Sequence, residues 1–310
     1  MVLKFIKKLI IYALICLAIV TFFLETQGQY IDAFYEKFTT PKVNSVIIGD
    51  SRGFQDLMPS IINNSLPSTD YALPIYNYAF TIDQAHIGPL YRKSILRKLT
   101  QQDTKGLFLI SLTPMMLSSD IENNNEKGEF IEKGAPPHNM YFVDKKPNYE
   151  YFIKNINYFE FKAMLKKEFT VHPDGWMEIN HISDNKSRLK EWKNTQMDRF
   201  KDMAKTSKPS DYRIKSLDTL VKTLKNFGDV YLIRVPIDQD FLDLETAYFK
   251  DFNERVGEVA KKNNIKYFNF GAIDGSAYFA FDGHHLDTKS AELFSKNVSD
   301  SIMKHKLTRN

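Results

Sequence analysis

Cysteine is nearly absent. Cys16 is the single one in 310 residues, and it lies in an apolar N-terminal run behind bulky Ile15, so the remainder of the chain folds without disulfides. In that setting Cys16 reads as a packing residue and a poor lipid-attachment site. No phosphate loop or dinucleotide fingerprint occurs, and there is no internal repeat or low-complexity tract, so nucleotide-binding and solenoid architectures are not expected. A basic stripe interleaved with aromatics is missing too. The net charge is +4, and Lys4, Lys7 and Lys8 account for most of it, leaving a near-neutral body for which nucleic acid is not an expected partner. His172 and His181 flank Asp174 and Glu178, but the spacings match no familiar zinc site and read as surface clustering; no metal or cofactor is expected.

What the chain does have is enough apolar material for a full core, with 43% hydrophobic and 14% aromatic residues over a length that fits one large domain. The N-terminus stands apart. Lys4, Lys7 and Lys8 precede residues 9–24, a run without a charge. Adding Phe5 and Ile6, with Lys7 and Lys8 snorkelling, brings the segment 5–24 near the roughly 20 residues a bilayer requires. The lysines then stay in the cytoplasm, residues 1–28 form a tip and signal anchor, and residues 29–310 form the exported domain. The alternative is secretion after signal-peptide cleavage near residue 28, where Thr26-Gln27-Gly28 places small residues at spacing two without the usual Ala-x-Ala.

Five short apolar or β-branched runs bounded by turn residues predict strands at 45–48, 75–79, 106–111, 229–234 and 265–270. Helical patterns fall between and after them, at 85–99, 216–227 and 252–262, with a last helix N-capped by Asp287 and burying Ala291, Phe294, Val298 and Ile302. Such alternation predicts an α/β fold with a mainly parallel five-stranded sheet. The alternation lapses at about 118–212, a stretch rich in Asn, Lys, aromatics and Pro. It reads as an insertion overhanging the sheet edge where ligands bind, with Trp176 anchoring it on the core.

Two motifs carry chemistry. Gly49-Asp50-Ser51 follows the first strand directly, which places a serine on a sharp turn at a helix N-terminus; Asp282-Gly283-His284-His285 precedes the last helix and sets an aspartate three residues before a histidine. Together they spell a Ser-His-Asp triad. Gly49-Asp50-Ser51-Arg52-Gly53 also satisfies Gly-x-Ser-x-Gly, the nucleophile elbow of α/β-hydrolases, but that elbow follows several strands and draws acid and base from separate loops.

The same residues resemble the SGNH/GDSL hydrolase superfamily, whose first block is Gly-Asp-Ser and whose last is Asp-x-x-His. Leu286 to Phe294 is similar to the continuation seen in membrane-anchored bacterial envelope members. The resemblance implies a flavodoxin-like three-layer α/β/α fold over roughly 43–305. It also implies Ser51 as nucleophile, His285 as general base with His284 as the alternative, and Asp282 as the residue that orients the imidazole. The middle blocks depart from the pattern. Ala79 stands where an oxyanion glycine is expected, and Ser111-Leu112-Thr113-Pro114 replaces the Gly-x-Asn-Asp block. The oxyanion donors would then be the backbone N–H groups of Ser51 and Ala79, with the Asn77 side chain as a substitute and turn-capping as its ordinary role. Arg52 and Arg234, both at the C-terminal edge of the sheet, are candidates for clamping an anionic substrate group or for pairing with a nearby acid.

The expected protein is a single-pass protein of the bacterial inner membrane, its domain facing the periplasm or exterior. It would act as a serine esterase or O-acyltransferase on acylated envelope carbohydrate or a small ester. The alternative is a non-catalytic binding or assembly module working beside a multi-pass membrane acyltransferase.

Overall fold

In the strands both faces are apolar, as a sheet covered on both sides requires. The computed structural model describes residues 2–67, 70–100, 105–157, 168–271 and 277–308. Its main sheet comprises β1 (Ser45–Ile48), β2 (Ile75–Asn77), β3 (Gly106–Ser111), a fourth strand at Gly228–Arg234 and a fifth at Lys266–Asn269. All neighbours pair in parallel, and the spatial order is second, first, third, fourth, fifth. The second and fifth strands are shorter than the 75–79 and 265–270 expected, since pairing ends at Asn77 and Asn269.

Alternate strand residues enter separate cores. Val46, Ile48, Phe108, Ile110, Val230 and Leu232 join one cluster, while Ile47, Leu107, Leu109, Tyr231 and Ile233 join another. The first is covered by α4 (Pro89–Lys98) and by helices Asp211–Lys225 and Phe252–Lys262, through Ile95, Leu217, Leu220, Val221, Leu224 and Val256. The second is covered by α3 (Pro59–Ser65) and the C-terminal helix Thr288–Leu307, through Ile62, Ala291, Phe294, Val298 and Ile302. Each such buried side chain contributes about 1.5–3 kcal/mol. α4 begins at Pro89 and not at residue 85, because proline lacks the N–H a helix interior needs and fits the first helical position. Asp287 caps the C-terminal helix, its carboxylate accepting from Ser290 N–H at 2.9 Å.

The N-terminal helix, α1 (Val2–Ile31), is longer than the apolar run alone. Val2–Gly28 is long and apolar enough to cross a membrane, and most of its side chains are exposed. Its outer end docks on the domain: Leu24 is fully buried, and Val20 and Phe23 pack against the first core.

The segment at 118–212 is stitched shut at its base. β4 (Ser118–Asp120) pairs antiparallel with β7 (Ser207–Pro209), Ser118 opposite Pro209. Between them lie α5 (Tyr149–Asn155), the hairpin β5 (Phe169–Val171) and β6 (Met177–Ile179), and the long helix α6 (Lys186–Thr206). With these in place the remaining elements are α7 (Asp211–Lys225), β8 (Gly228–Arg234), α8 (Gln239–Tyr248), α9 (Phe252–Lys262), β9 (Lys266–Asn269) and α10 (Thr288–Leu307); α2 is Ser51–Asp56.

Three contacts pin the insertion. Trp176 is buried and its indole N–H donates to Gln55 O at 2.5 Å, so it anchors the hairpin on α2. Gly175, at φ +86°, brings the hairpin tip so near β2 that a Cβ there would lie 2.3 Å from Asn77 O. Arg213 and Glu132, both fully enclosed, form a bidentate pair at 2.6 and 2.9 Å.

His86 sits beside that pair, and burial together with the Arg213 guanidinium pushes its pKa down to about 4. The unfolded chain, with a histidine near 6.5, therefore takes up a proton before the folded one does. His86's contribution to stability should fall by on the order of 3 kcal/mol as pH drops from about 6.5 to about 4. Urea unfolding across that window should show a decline, and His86→Gln should make it shallower by about that amount; an unchanged slope in the variant would count against this role.

Candidate active site

The turn after β1 is shaped by crowding. A Cβ on Gly49 would lie 2.9 Å from the Ser111 Cβ, and one on Gly53 would lie 3.0 Å from the same atom. The two glycines of Gly-x-Ser-x-Gly thus let α2 start against the end of β3, which accounts for the pattern without an α/β-hydrolase elbow. Asp50 is the N-cap: one carboxylate oxygen accepts from Arg52 N–H at 3.1 Å, the other from the Thr113 hydroxyl at 2.6 Å. Burial raises the Asp50 pKa, with Arg52 and these donors opposing that shift. Ser51 is consequently the first residue of α2, where an amide has no intrahelical acceptor.

The second motif curls on Gly283, at φ +93° and packed so tightly that a Cβ would lie 2.5 Å from the Phe241 ring. This left-handed residue lets one Asp282 oxygen accept both the His285 N–H at 2.9 Å and the His284 N–H at 3.2 Å. The other oxygen lies 2.8 Å from His285 Nδ1, and His285 Nε2 lies 2.8 Å from Ser51 Oγ. Burial opposes the charge on Asp282, but His285, His284 and the backbone donors outweigh it and hold its pKa well below the usual carboxylate range. The loop is fastened to α2 by Leu286 N–H donating to Asp56 at 2.9 Å.

His284 borders the same cleft as Ser51, but the Ser51 hydroxyl meets His285. The His284 ring stacks on Phe241, and burial, then the neighbouring His285, push its pKa well below the ordinary histidine value. Among the described residues Asp282, His284 and His285 are also the one cluster able to hold a metal ion, and two of its three members belong to the triad. His172 pairs with Glu178 at 2.9 Å on the β5–β6 hairpin.

Asn77 and Ala79, expected as oxyanion donors, are engaged inside the fold. The Asn77 amide donates to Gly53 O at 2.8 Å and Leu57 O at 3.1 Å, capping the end of α2, and its oxygen accepts the Ala79 N–H at 3.1 Å. Neither residue lines the cleft over Ser51. The turn-capping role of Asn77 is the one the structure displays. Of the expected donors, only the Ser51 amide is left at the site.

Arg52 and Arg234 share one acid. Arg52 Nη2 donates to Glu245 Oε1 at 2.6 Å and Arg234 Nη2 to Glu245 Oε2 at 3.0 Å, with all three side chains buried. Arg234 also bonds Asn253 at 2.9 Å and lies outside the cleft, so it is a structural residue and not a substrate clamp. Arg52 lines the cleft, and its Nη1 is buried without a hydrogen-bond partner. Glu245, on α8, had no signal in the sequence beyond the chance that either arginine meets an acid.

Ser51 and His285 lie on a cleft of about 210 Å³ with apolar walls from Ile82, Met115, Phe200 and Phe241. Past the His285 ring, a wider cleft of about 530 Å³ is lined by Trp192, Phe281, Arg188 and Gln55. Gln196 on α6 borders both, so the segment at 118–212 contributes to the walls of each cleft. No family model matches this chain, and no curated protein is significantly similar to it.

Removing the central acid should be costly. Glu245→Gln removes the carboxylate that two buried guanidinium groups share, and should lower stability by about 3–5 kcal/mol. Thermal and urea melts would read this directly; a loss below about 1 kcal/mol, the range of an exposed pair, would mean the Arg52–Glu245–Arg234 cluster is solvated.

Proposed function

We propose that this protein is a membrane-anchored serine hydrolase or O-acyltransferase of SGNH type, with a flavodoxin-like three-layer arrangement. The observation that carries the reading is the unbroken chain Ser51 Oγ, His285 Nε2, His285 Nδ1, Asp282, with both links at 2.8 Å. The strand order and the two helix-covered core faces support the fold assignment. His285 takes the Ser51 proton as Oγ attacks an ester carbonyl, and Asp282 stabilises the imidazolium. The ester C–O bond breaks, His285 returns the proton to the leaving alkoxide, and an acyl-serine forms. Water or a sugar hydroxyl then accepts the acyl group by the reverse sequence. The substrate class is an acylated cell-envelope carbohydrate or a small ester, with α1 holding the domain at the outer face of the bacterial inner membrane.

A second reading is favoured by one observation, the engagement of Asn77 and Ala79 within the fold. Losing one oxyanion donor costs about 100–1,000-fold in rate. Such a site fits a slow enzyme, or a binding module beside a multi-pass acyltransferase.

Turnover of p-nitrophenyl acetate by the full chain in detergent separates the two. Ser51→Ala and His285→Ala should each lower kcat by at least about a thousandfold, as removal of a triad member does. A fluorophosphonate should label the wild type and spare Ser51→Ala. Equal labelling of both proteins, with no turnover above the variants, would overturn the catalytic reading.

A further inference from the structure

Large apolar side chains are exposed beside α1. Tyr141, Phe142, Tyr149 and Ile153 are 69, 44, 38 and 79% accessible. They form one patch: Tyr149 and Ile153 lie one turn apart on α5, and Glu150 between them accepts the N–H groups of Tyr141 at 2.9 Å and Phe142 at 2.7 Å. Lys145 and Lys146, both exposed, lead into the helix.

The position of this patch along α1 is fixed by two contacts. The Tyr149 hydroxyl and the Thr21 hydroxyl share a 2.6 Å hydrogen bond, and Thr21 lies inside the charge-free run at 9–24. Lys146 lines a groove with Glu25 and Thr26, just beyond the end of that run. From Lys146 to Tyr149, therefore, the chain descends along α1 toward the level of the membrane. Thr21 is three residues short of Leu24, about 4.5 Å along the helix axis, which is the depth at which tyrosine with its polar tip is favoured.

We propose that α5 and the Tyr141-Phe142 pair form a foot that dips into the headgroup region of the outer leaflet beside α1. Lys145 and Lys146 face the lipid phosphates there. The foot removes exposed aromatic surface from water and gives the domain a second membrane contact besides the anchor. A single helix leaves the domain free to tilt; the helix and foot together hold one orientation. The proposal rests on α1 being retained as an anchor, and is independent of the chemistry at Ser51.

The test uses the full chain in nanodiscs with an environment-sensitive fluorophore on cysteine. Wild type is labelled at its native Cys16, and a Cys16→Ser, Ile153→Cys variant at position 153. Both labels should emit at shorter wavelength than in water, resist aqueous iodide and lose most of their intensity to nitroxide lipids. The Ile153→Cys label should respond most to nitroxides placed near the headgroup. A quenched Cys16 label with an Ile153→Cys label that behaves as in water would overturn the foot alone. A water-exposed Cys16 label would overturn the anchor and the foot together.

Discussion

The arrangement over Ser51 depends on one buried carboxylate. Asp282 gathers the His285 ring and two successive backbone amides onto its two oxygens, and that convergence decides where the imidazole stands and which of its nitrogens faces the serine. It is possible only because Gly283 takes a conformation that costs other residues about 1–2 kcal/mol. An ionised aspartate in such surroundings would be unstable by itself. Two backbone N–H donors and the His285 ring offset the loss of water.

The helix that presents Ser51 is only six residues long and would not persist alone. It is held at every level by side chains from distant parts of the chain. Asp50 and Thr113 fix its start, the Asn77 amide closes its end, Asp56 receives the histidine loop, and Trp176 fastens the insertion to its backbone. Arg52 ties it to α8 through Glu245. Nucleophile and base, separated by more than two hundred residues, are thereby attached to one short rigid element. A buried Arg-Glu-Arg arrangement is a costly way to gain stability, but it does demand a defined geometry of its partners.

The sheet was legible because its strands carry unmistakable apolar runs, and 45–48 and 106–111 coincide with β1 and β3. The C-terminal helix was legible for the same reason, since Ala291, Phe294, Val298 and Ile302 repeat at helical spacing and Asp287 is a strong cap. Ser51, His285 and Asp282 were legible because both motifs are local. What could not be read is long-range: that Asn77 closes α2 and not an oxyanion hole, and that two arginines meet on Glu245. Side chains of this kind have several equally good local partners, and tertiary packing alone selects among them. The cleft-lining residues Gln196 and Phe200 were beyond sequence for the same reason.

The β4–β7 ribbon brings the two ends of the insertion side by side, so the chain leaves and re-enters the main fold through a short paired stem. Everything from Ile121 to Thr206 is, topologically, a closed loop on that stem, and closing a longer or shorter loop changes the entropy only slowly with length. The main-sheet strands and both triad motifs lie outside it, so nucleophile and base are encoded separately from the part of the cleft wall that Gln196, Arg199, Phe200 and Met203 supply. Such a chain can alter what reaches Ser51 by rewriting a cassette while its reaction chemistry stays in place.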